Sequence, residues 1–514
     1  MKLGVILAGT VLLKALAPVD VRAASADEPT YGAVLVRLLP NNPGRDWLRF
    51  RSWDELIVQR VLSDPSSRSP RIHLRVRTDG TSQTDIYAAT LAPGIYRLDE
   101  FASREICDVL GCRVPRMSVD KNFSHFEVAA GRITDLGVLI ETEGPGGGEE
   151  VLGYGPGADP RETKEIVKET SPELATLGSD SATSWVSETI PTKMPELYEW
   201  TLTHAVGVIA PKPLDDGSFI YGTRLGTLVS WKPGKLGMAH DIGARSSIES
   251  VLATNNRYWI VGGELGLLRV STDQGHSWHS VRGNLPFGVV VSLSQWHDKI
   301  VATTWMRSDV HVHSADIGAS DWKELAHYQL EASRLVNASA QVIPRSVLVE
   351  NSLLTALPDR KLGYLDLSSG REETRELPGS LHELSFSADA TLRCLCIKTF
   401  GKTHYESHDL GKTWRDSGNA FSLSLPVFRN AQYGVAYKRT GPSTGVLAYT
   451  ENGGARWTAL EGVESEMLDA KPPESLASPI QLFYSLDGSV VFAAPPYGEF
   501  RMSRDDGKSW QPVR

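Results

Sequence analysis

The most conspicuous reactive side chains in the chain are three aspartates set in one repeated phrase. STDQGHSW holds Asp273, SHDLGKTW holds Asp409 and SRDDGKSW holds Asp505. Carboxylates that converge on a cleft can serve as general acid, general base or nucleophile. The shared pattern, [ST]-x-D-x-G-x-x-W, therefore reads as pieces of a catalytic centre or as turns of a repeated fold. The residue types favour turns. A Ser or Thr hydroxyl and an Asp carboxylate two residues later can hold the N–H groups of a tight turn. Gly275, Gly411 and Gly507 allow the positive φ that such a turn needs. Trp278, Trp414 and Trp510 then lay a large apolar surface at the start of the next strand.

Other candidate groups are scattered. Glu249, Glu264 and Asp309 are available acids, but sequence spacing does not bring any two together. His311 and His313 in VHVHS share one face of a strand, yet no third ligand is near in sequence, so no metal site is expected. No HExxH, P-loop or dinucleotide fingerprint occurs. The run GPGGG at Gly144 lies in an acidic stretch and lacks the strand and helix that make a phosphate cradle. No cofactor is expected, and no catalytic residue is assigned.

Weaker copies of the phrase lie between the strong ones. Asp316 in SADIGASDW, Asn452 with Trp457 in TENGGARW, and Asp366 in LDLSSG keep parts of it. YGTRLGTLVSW at Tyr221 parallels VGGELGLLRVS at Val261, which puts a decayed copy at Pro233. The seven positions 233, 273, 316, 366, 409, 452 and 505 are 40 to 53 residues apart. Units of that length, rich in short strands and turns, match four-stranded propeller blades. The pattern is identified as the Asp-box, and residues 186–514 resemble the BNR-repeat, sialidase-like β-propellers. That resemblance implies a seven-bladed propeller in which the boxes join the third and fourth strands, on the rim opposite the ligand face. It also implies that Asp273, Asp409 and Asp505 are structural.

If the boxes lie on one rim, the turns between second and third strands lie on the other. Register places Arg224, Glu264, Arg307, Arg360, Lys402, Lys438 with Arg439, and Tyr497 there. This set is mostly basic and would suit an anionic ligand or an acidic partner surface. The catalytic set of sialidases is not found: no Arg-Ile-Pro occurs, and the nearest string is Ile343-Pro344-Arg345. Propellers with weak boxes and no catalytic set resemble the photosystem II assembly-factor type and the propellers of sorting receptors. The expectation is a non-catalytic binding or assembly platform for a protein or glycan partner, probed against a glycoside hydrolase as the alternative.

Upstream, residues 27–142 read as a small β-sandwich. YGAVLVRLL alternates like a half-buried strand, and LAPGIYRL turns at Pro93-Gly94 into another. The segment resembles the Ig-like or transthyretin-like modules of bacterial exported proteins. WDELIVQRVL fits a helix or a strand equally. Residues 143–185 are dominated by Gly, Pro and acids and read as a linker, with a short surface helix over 161–173. Residues 1–26 read as a secretory signal peptide: Lys2, an apolar run from Leu3 to Leu13, and small residues near Ala23 to Ala26. No later run is apolar enough to span a bilayer. An exported, periplasmic or secreted monomer is expected. The net charge of −9 argues against a nucleic-acid partner. In an exported chain, Cys107 and Cys112 are placed to close a small ring. Cys394 and Cys396, two apart on a strand, read as two buried thiols.

Overall fold

The protein is known from a computed structural model. It describes residues 31–178 and 209–512 apart from internal stretches, the longest being 41–52, 331–342 and 461–480. The signal peptide expected over 1–26 and Tyr497 lie outside the described residues.

The first unit is two facing sheets. One runs β11 (Glu149–Gly153), β10 (Ile133–Glu143), β1 (Gly32–Pro40), β4 (Asp85–Leu91), with β1 parallel to β10. The other runs β3 (Arg71–Arg75), β2 (Glu55–Arg60), β5 (Gly94–Ala102), β8 (Arg116–Ser118), with β9 (His125–Val128) also on β5. A small hairpin, β6 (Ile106–Asp108) and β7 (Gly111–Arg113), sets Cys107 opposite Cys112 in register. The segment WDELIVQRVL resolves to strand β2, as its β-branched Ile57 and Val58 favour. Val34, Val36 and Leu38 of β1 face Leu56, Val58, Leu98 and Phe101 of the second sheet across one core.

β1 is not half-buried as its alternation suggested. Ala33, Leu35 and Leu39, on its other face, are buried as well. The reason lies in the stretch expected to be a linker. It supplies β11 to the sheet edge and then a helix, α1 (Pro160–Thr170), in place of the surface helix expected over 161–173. Ile166, Val167 and Leu174 pack on Ala33, Leu35, Ile86, Ala88 and Ile133. A sheet covered on both faces needs near-continuous apolar strands. Arg37, buried in that layer, is met by Asp135 at 3.1 Å, and Asp135 also accepts bonds from the Thr163 hydroxyl of α1 and the Gly137 N–H.

The second unit is a β-propeller. Seven four-stranded antiparallel sheets follow one another among the described residues, over 209–241, 248–280, 289–329, 346–376, 380–418, 427–459 and 481–512. Each takes its four strands consecutively, and the first strands of successive sheets lie side by side in most of the series. First and last sheets meet through aromatic rings: Phe219 packs on Phe483, Phe492 and Phe500 with centroids 5.1, 5.1 and 5.5 Å away. Closure here is by side-chain packing, with no strand exchanged among the described residues.

Of the expected positions, 273, 409, 452 and 505 fall in the turn between third and fourth strands, 316 and 366 are the last residues of the third strand, and 233 lies outside the described residues. The strong copies share one geometry. The Ser271 hydroxyl donates to Asp273 Oδ1 at 2.8 Å and accepts the Gly275 N–H at 2.7 Å; Asp273 then accepts the N–H and hydroxyl of Ser277. Ser407–Asp409–Thr413 and Ser503–Asp505–Ser509 repeat it, and Thr450–Asn452 keeps the acceptor with an amide oxygen. The φ values of Gly275, Gly411, Gly454 and Gly507 are 88°, 88°, 88° and 85°. Trp278 and Trp510 donate their indole N–H to the Gly275 and Gly507 carbonyls. The Ser277 hydroxyl and N–H, with the Ser271 hydroxyl, hold the Asp273 carboxyl well below the usual carboxylate range. Asp316 lacks this ring and instead pairs with Lys299 at 2.7 Å. Asp366 accepts the Ser368 and Ser369 N–H groups.

One of these turns also ties two sheets together. His240 of the first sheet sits with Nδ1 3.1 Å from the Gly275 carbonyl and Nε2 2.8 Å from the Ser230 hydroxyl, edge-on to Trp259. A carbonyl only accepts, so Nδ1 carries the proton and Nε2 accepts from Ser230. Burial, opposed by the Gly275 bond and aided by the nearby His276 charge, lowers the His240 pKa. The unfolded chain takes up a proton near the ordinary value of about 6.5. The stabilisation is thus complete above that value and is lost as pH falls toward the lower folded value. Thermal melts at pH 7 and pH 5 are expected to show a smaller acid loss in His240→Gln than in the parent.

Cys394 and Cys396 correct the two-thiol expectation. Both are buried, their sulfurs are in bonding contact and their Cα atoms are 5.6 Å apart, within the range a bridge spans.

Candidate functional site

In each sheet the turns between first and second strands, and between third and fourth, lie on one side. The turns between second and third strands, and the links to the next sheet, lie on the other. The sandwich sits on this second side, over the first three sheets. Leu225, in the first sheet's turn, inserts between Leu39, Val138 and Ile140 of the sandwich. Leu265 and Phe287 cover the outer apolar face beside α1. Arg282 pairs with Glu165 of α1. A cleft between the units is lined by Arg77, Ser82 and Glu169 on one wall and by Phe287, Met306 and Arg307 on the other.

This docking decides the fate of the expected ligand-facing ring. Glu264 is 1% exposed and accepts the Thr84 N–H and hydroxyl at 3.2 and 2.5 Å, so it is an inter-unit contact. Arg224 is buried at the same junction level, with 6% of its surface exposed. Arg307 is exposed at the cleft, and its carbonyl accepts the Trp305 indole N–H. Arg360 is exposed, beyond the sandwich contacts, in a turn with φ 62°. Its guanidinium leans on the Leu377 and Pro378 carbonyls at 3.4 Å. Lys402 is the second residue of the third strand of the fifth sheet, and Arg439 is the last of the second strand of the sixth. The expected set is therefore not one open ring, because Arg224, Glu264 and Arg307 meet or border the sandwich. Leu225→Asp is expected to separate the units: a charge would enter an apolar pocket with no partner. Small-angle scattering should show a larger radius of gyration while both units keep their own cooperative melts.

The available acids also part company. Glu264 is spent on Thr84, Asp309 on His327 at 2.8 Å, and Glu249 on Ser247 and Arg345.

What the fold does bring together was not visible in the sequence. Glu249, near the start of the second sheet's first strand, lies 3.4 Å from Arg345, just before the first strand of the fourth sheet. The third sheet lies between those two in chain order, so this pair reaches across the central channel. Glu249 is almost fully buried while the Arg345 side chain is 44% exposed, so the cation is the accessible partner. Lys212 of the first sheet feels the same arginine: burial, then the Arg345 charge, pulls its ammonium below the usual lysine value. Arg345, the accessible member of the pair, lies on the side of the second-to-third-strand turns, whereas Lys212 sits near the end of its strand, toward the other side. Such a site accepts a carboxylate or another anionic group. Its residues come from three sheets with no common motif, which is why spacing could not reveal it.

No known protein family matches the chain, and no curated protein does. Among solved structures, YCF48 bound to D1 peptide is similar at 13% identity, over 57% of this chain and 92% of that one, with a TM-score of 0.44. The GH74 xyloglucanase from Xanthomonas campestris is similar at 11% identity over 59% of this chain and 53% of its own, also at 0.44. The WD40 propeller domain of Doa1 is similar at 14% identity over 59% and 92%, at 0.38. None of these likenesses bears on what this chain binds. Among the described residues no helix is long and apolar enough to cross a membrane.

Proposed function

We propose that the protein is an exported, non-catalytic binding platform built on a seven-bladed Asp-box propeller. Its partner is a protein of the envelope or extracellular space that presents an acidic segment. The contact surface is the channel entry at Arg345 together with the exposed Arg360 of the fourth sheet. The observation that carries this reading is the Glu249–Arg345 pair: it holds a half-exposed guanidinium against a buried carboxylate. The sandwich then acts as a fixed wall beside that surface, since its docking uses buried apolar contacts. The leader-like sequence at 1–26 supports export.

The test is capture from an envelope extract by the mature chain, comparing the parent, Arg345→Glu/Arg360→Glu, and Lys412→Glu on the opposite side. A partner held by the parent and Lys412→Glu, and lost by the double variant, supports the platform. A partner retained by all three, or no partner at all, removes it.

A further inference from the structure

The outer half of the third sheet carries a cluster that neither the propeller nor its channel uses. Strands 309–316 and 323–329 pair antiparallel, with His311 opposite His327. Alternation puts Asp309, His311 and His313 on one face, while Val310 and Val312 point into the core with Ala326 and Tyr328. The register shifts between Val312 and His313, where His313 pairs with Glu324. That bulge matters: Glu324 and His327 are three apart and would face opposite ways on a regular strand, but the extra residue puts both beside the histidines.

The geometry is that of ligands gathered around one point. One ligating atom from each of Asp309, His311 and His327 lies within 4.8 Å of the others. The His311 and His327 rings are parallel, 4.2 Å apart and 2° from coplanar stacking. Asp309 Oδ1 is 2.8 Å from His327 Nε2, and Oδ2 accepts the Ser308 hydroxyl at 3.2 Å. Glu324 stands 3.8 Å from His311 Nδ1 and 3.8 Å from His313 Nε2. Nδ1 of His311 and Nδ1 of His313 are both shielded from solvent and have no hydrogen-bond partner. His313 itself is 5% exposed. Buried imidazole nitrogens without partners are costly unless something completes the cluster.

Charge points to what that is. Three neutral imidazoles with two carboxylates carry a charge of two minus, which a divalent cation balances. Two imidazoles and one carboxylate form a donor set suited to zinc and its first-row neighbours, with a position left for water. A carboxylate behind a ligating histidine, as Glu324 stands to His311, orients the ring and raises its basicity.

We propose that Asp309, His311 and His327 bind a divalent first-row transition-metal ion, zinc by donor chemistry, with Glu324 as the orienting carboxylate. This corrects the expectation of no metal site. The missing third ligand, His327, lies 16 residues from His311 in sequence and is brought opposite it by strand pairing. The bound ion would pin the outer strand to the third strand beside Met306 and Arg307, which line the cleft against the sandwich.

The test uses the full mature chain without a histidine tag, freed of metal by chelation. Zinc is titrated by calorimetry and cobalt by visible absorption. The expected result is one equivalent bound, with the intense visible bands of four-coordinate cobalt displaced by zinc. His311→Ala and His327→Ala should each abolish the cobalt spectrum. Glu324→Gln should weaken zinc binding by about 10- to 100-fold, the usual effect of an outer-shell partner. His73→Ala, an exposed histidine on the sandwich, should change nothing. Asp309→Asn keeps the shape of the site and separates ligand loss from misfolding, with circular dichroism checking each variant. No binding by the parent, or equal binding by the His311 and His327 variants, overturns the assignment.

Discussion

Phe219→Ala is expected to lower the stability of the propeller by about 3–5 kcal/mol, the usual cost of truncating a fully buried phenylalanine. Phe219 has no exposed surface and meets five rings: Tyr221 and Trp231 in its own sheet, and Phe483, Phe492 and Phe500 in the last. No exchanged strand reinforces this seam among the described residues. The lost contacts therefore fall where the ring is joined. Denaturant titration gives the magnitude. Hydrogen exchange gives the location: protection should drop first in 209–241 and 481–512, with the third and fourth sheets little changed. A loss below about 1 kcal/mol, or a uniform drop in protection, would mean that closure is carried elsewhere.

Asp135→Ala is expected to cost a similar amount, about 3–5 kcal/mol, because it leaves the buried Arg37 guanidinium without its counter-charge. Both side chains are almost completely enclosed, at 2% and 5% exposure. The carboxylate also holds the Thr163 hydroxyl, so its removal should loosen α1 from the sheet. Replacing the pair together tests the physics. Arg37→Met with Asp135→Leu removes both desolvated charges and should recover most of the loss. If the double variant is as unstable as Asp135→Ala, the cost came from packing or from the Thr163 and Gly137 bonds rather than from the stranded charge. Chemical denaturation of all three forms separates these cases.

The turn phrases were legible because they are local. A hydroxyl, a carboxylate two residues on, a glycine two further and a tryptophan three beyond it complete their bonds within eight residues, so spacing alone carries the geometry. Asp316 shows the limit. It ends the third strand, short of the expected turn, and pairs with Lys299 across the hairpin, a contact that depends on register. β1 misled for a related reason: an apolar run with one Arg looks half-buried until α1 and the propeller cover its second face. The segment 143–185 misled because its glycines outweighed, in composition, the buried Ile166 and Val167.

The sequence by itself determined the repeat length, the turns at 273, 409, 452 and 505 and hence a propeller following a β-sandwich, because these depend on residues near one another in the chain. Tertiary structure decided everything that needs two distant segments to meet. It sealed Glu264 under Thr84, set Glu249 against Arg345 across the channel, and stacked His327 on His311. A side chain's chemistry follows from its neighbours' charge and from its burial, and in a propeller those neighbours come from other sheets, dozens of residues away.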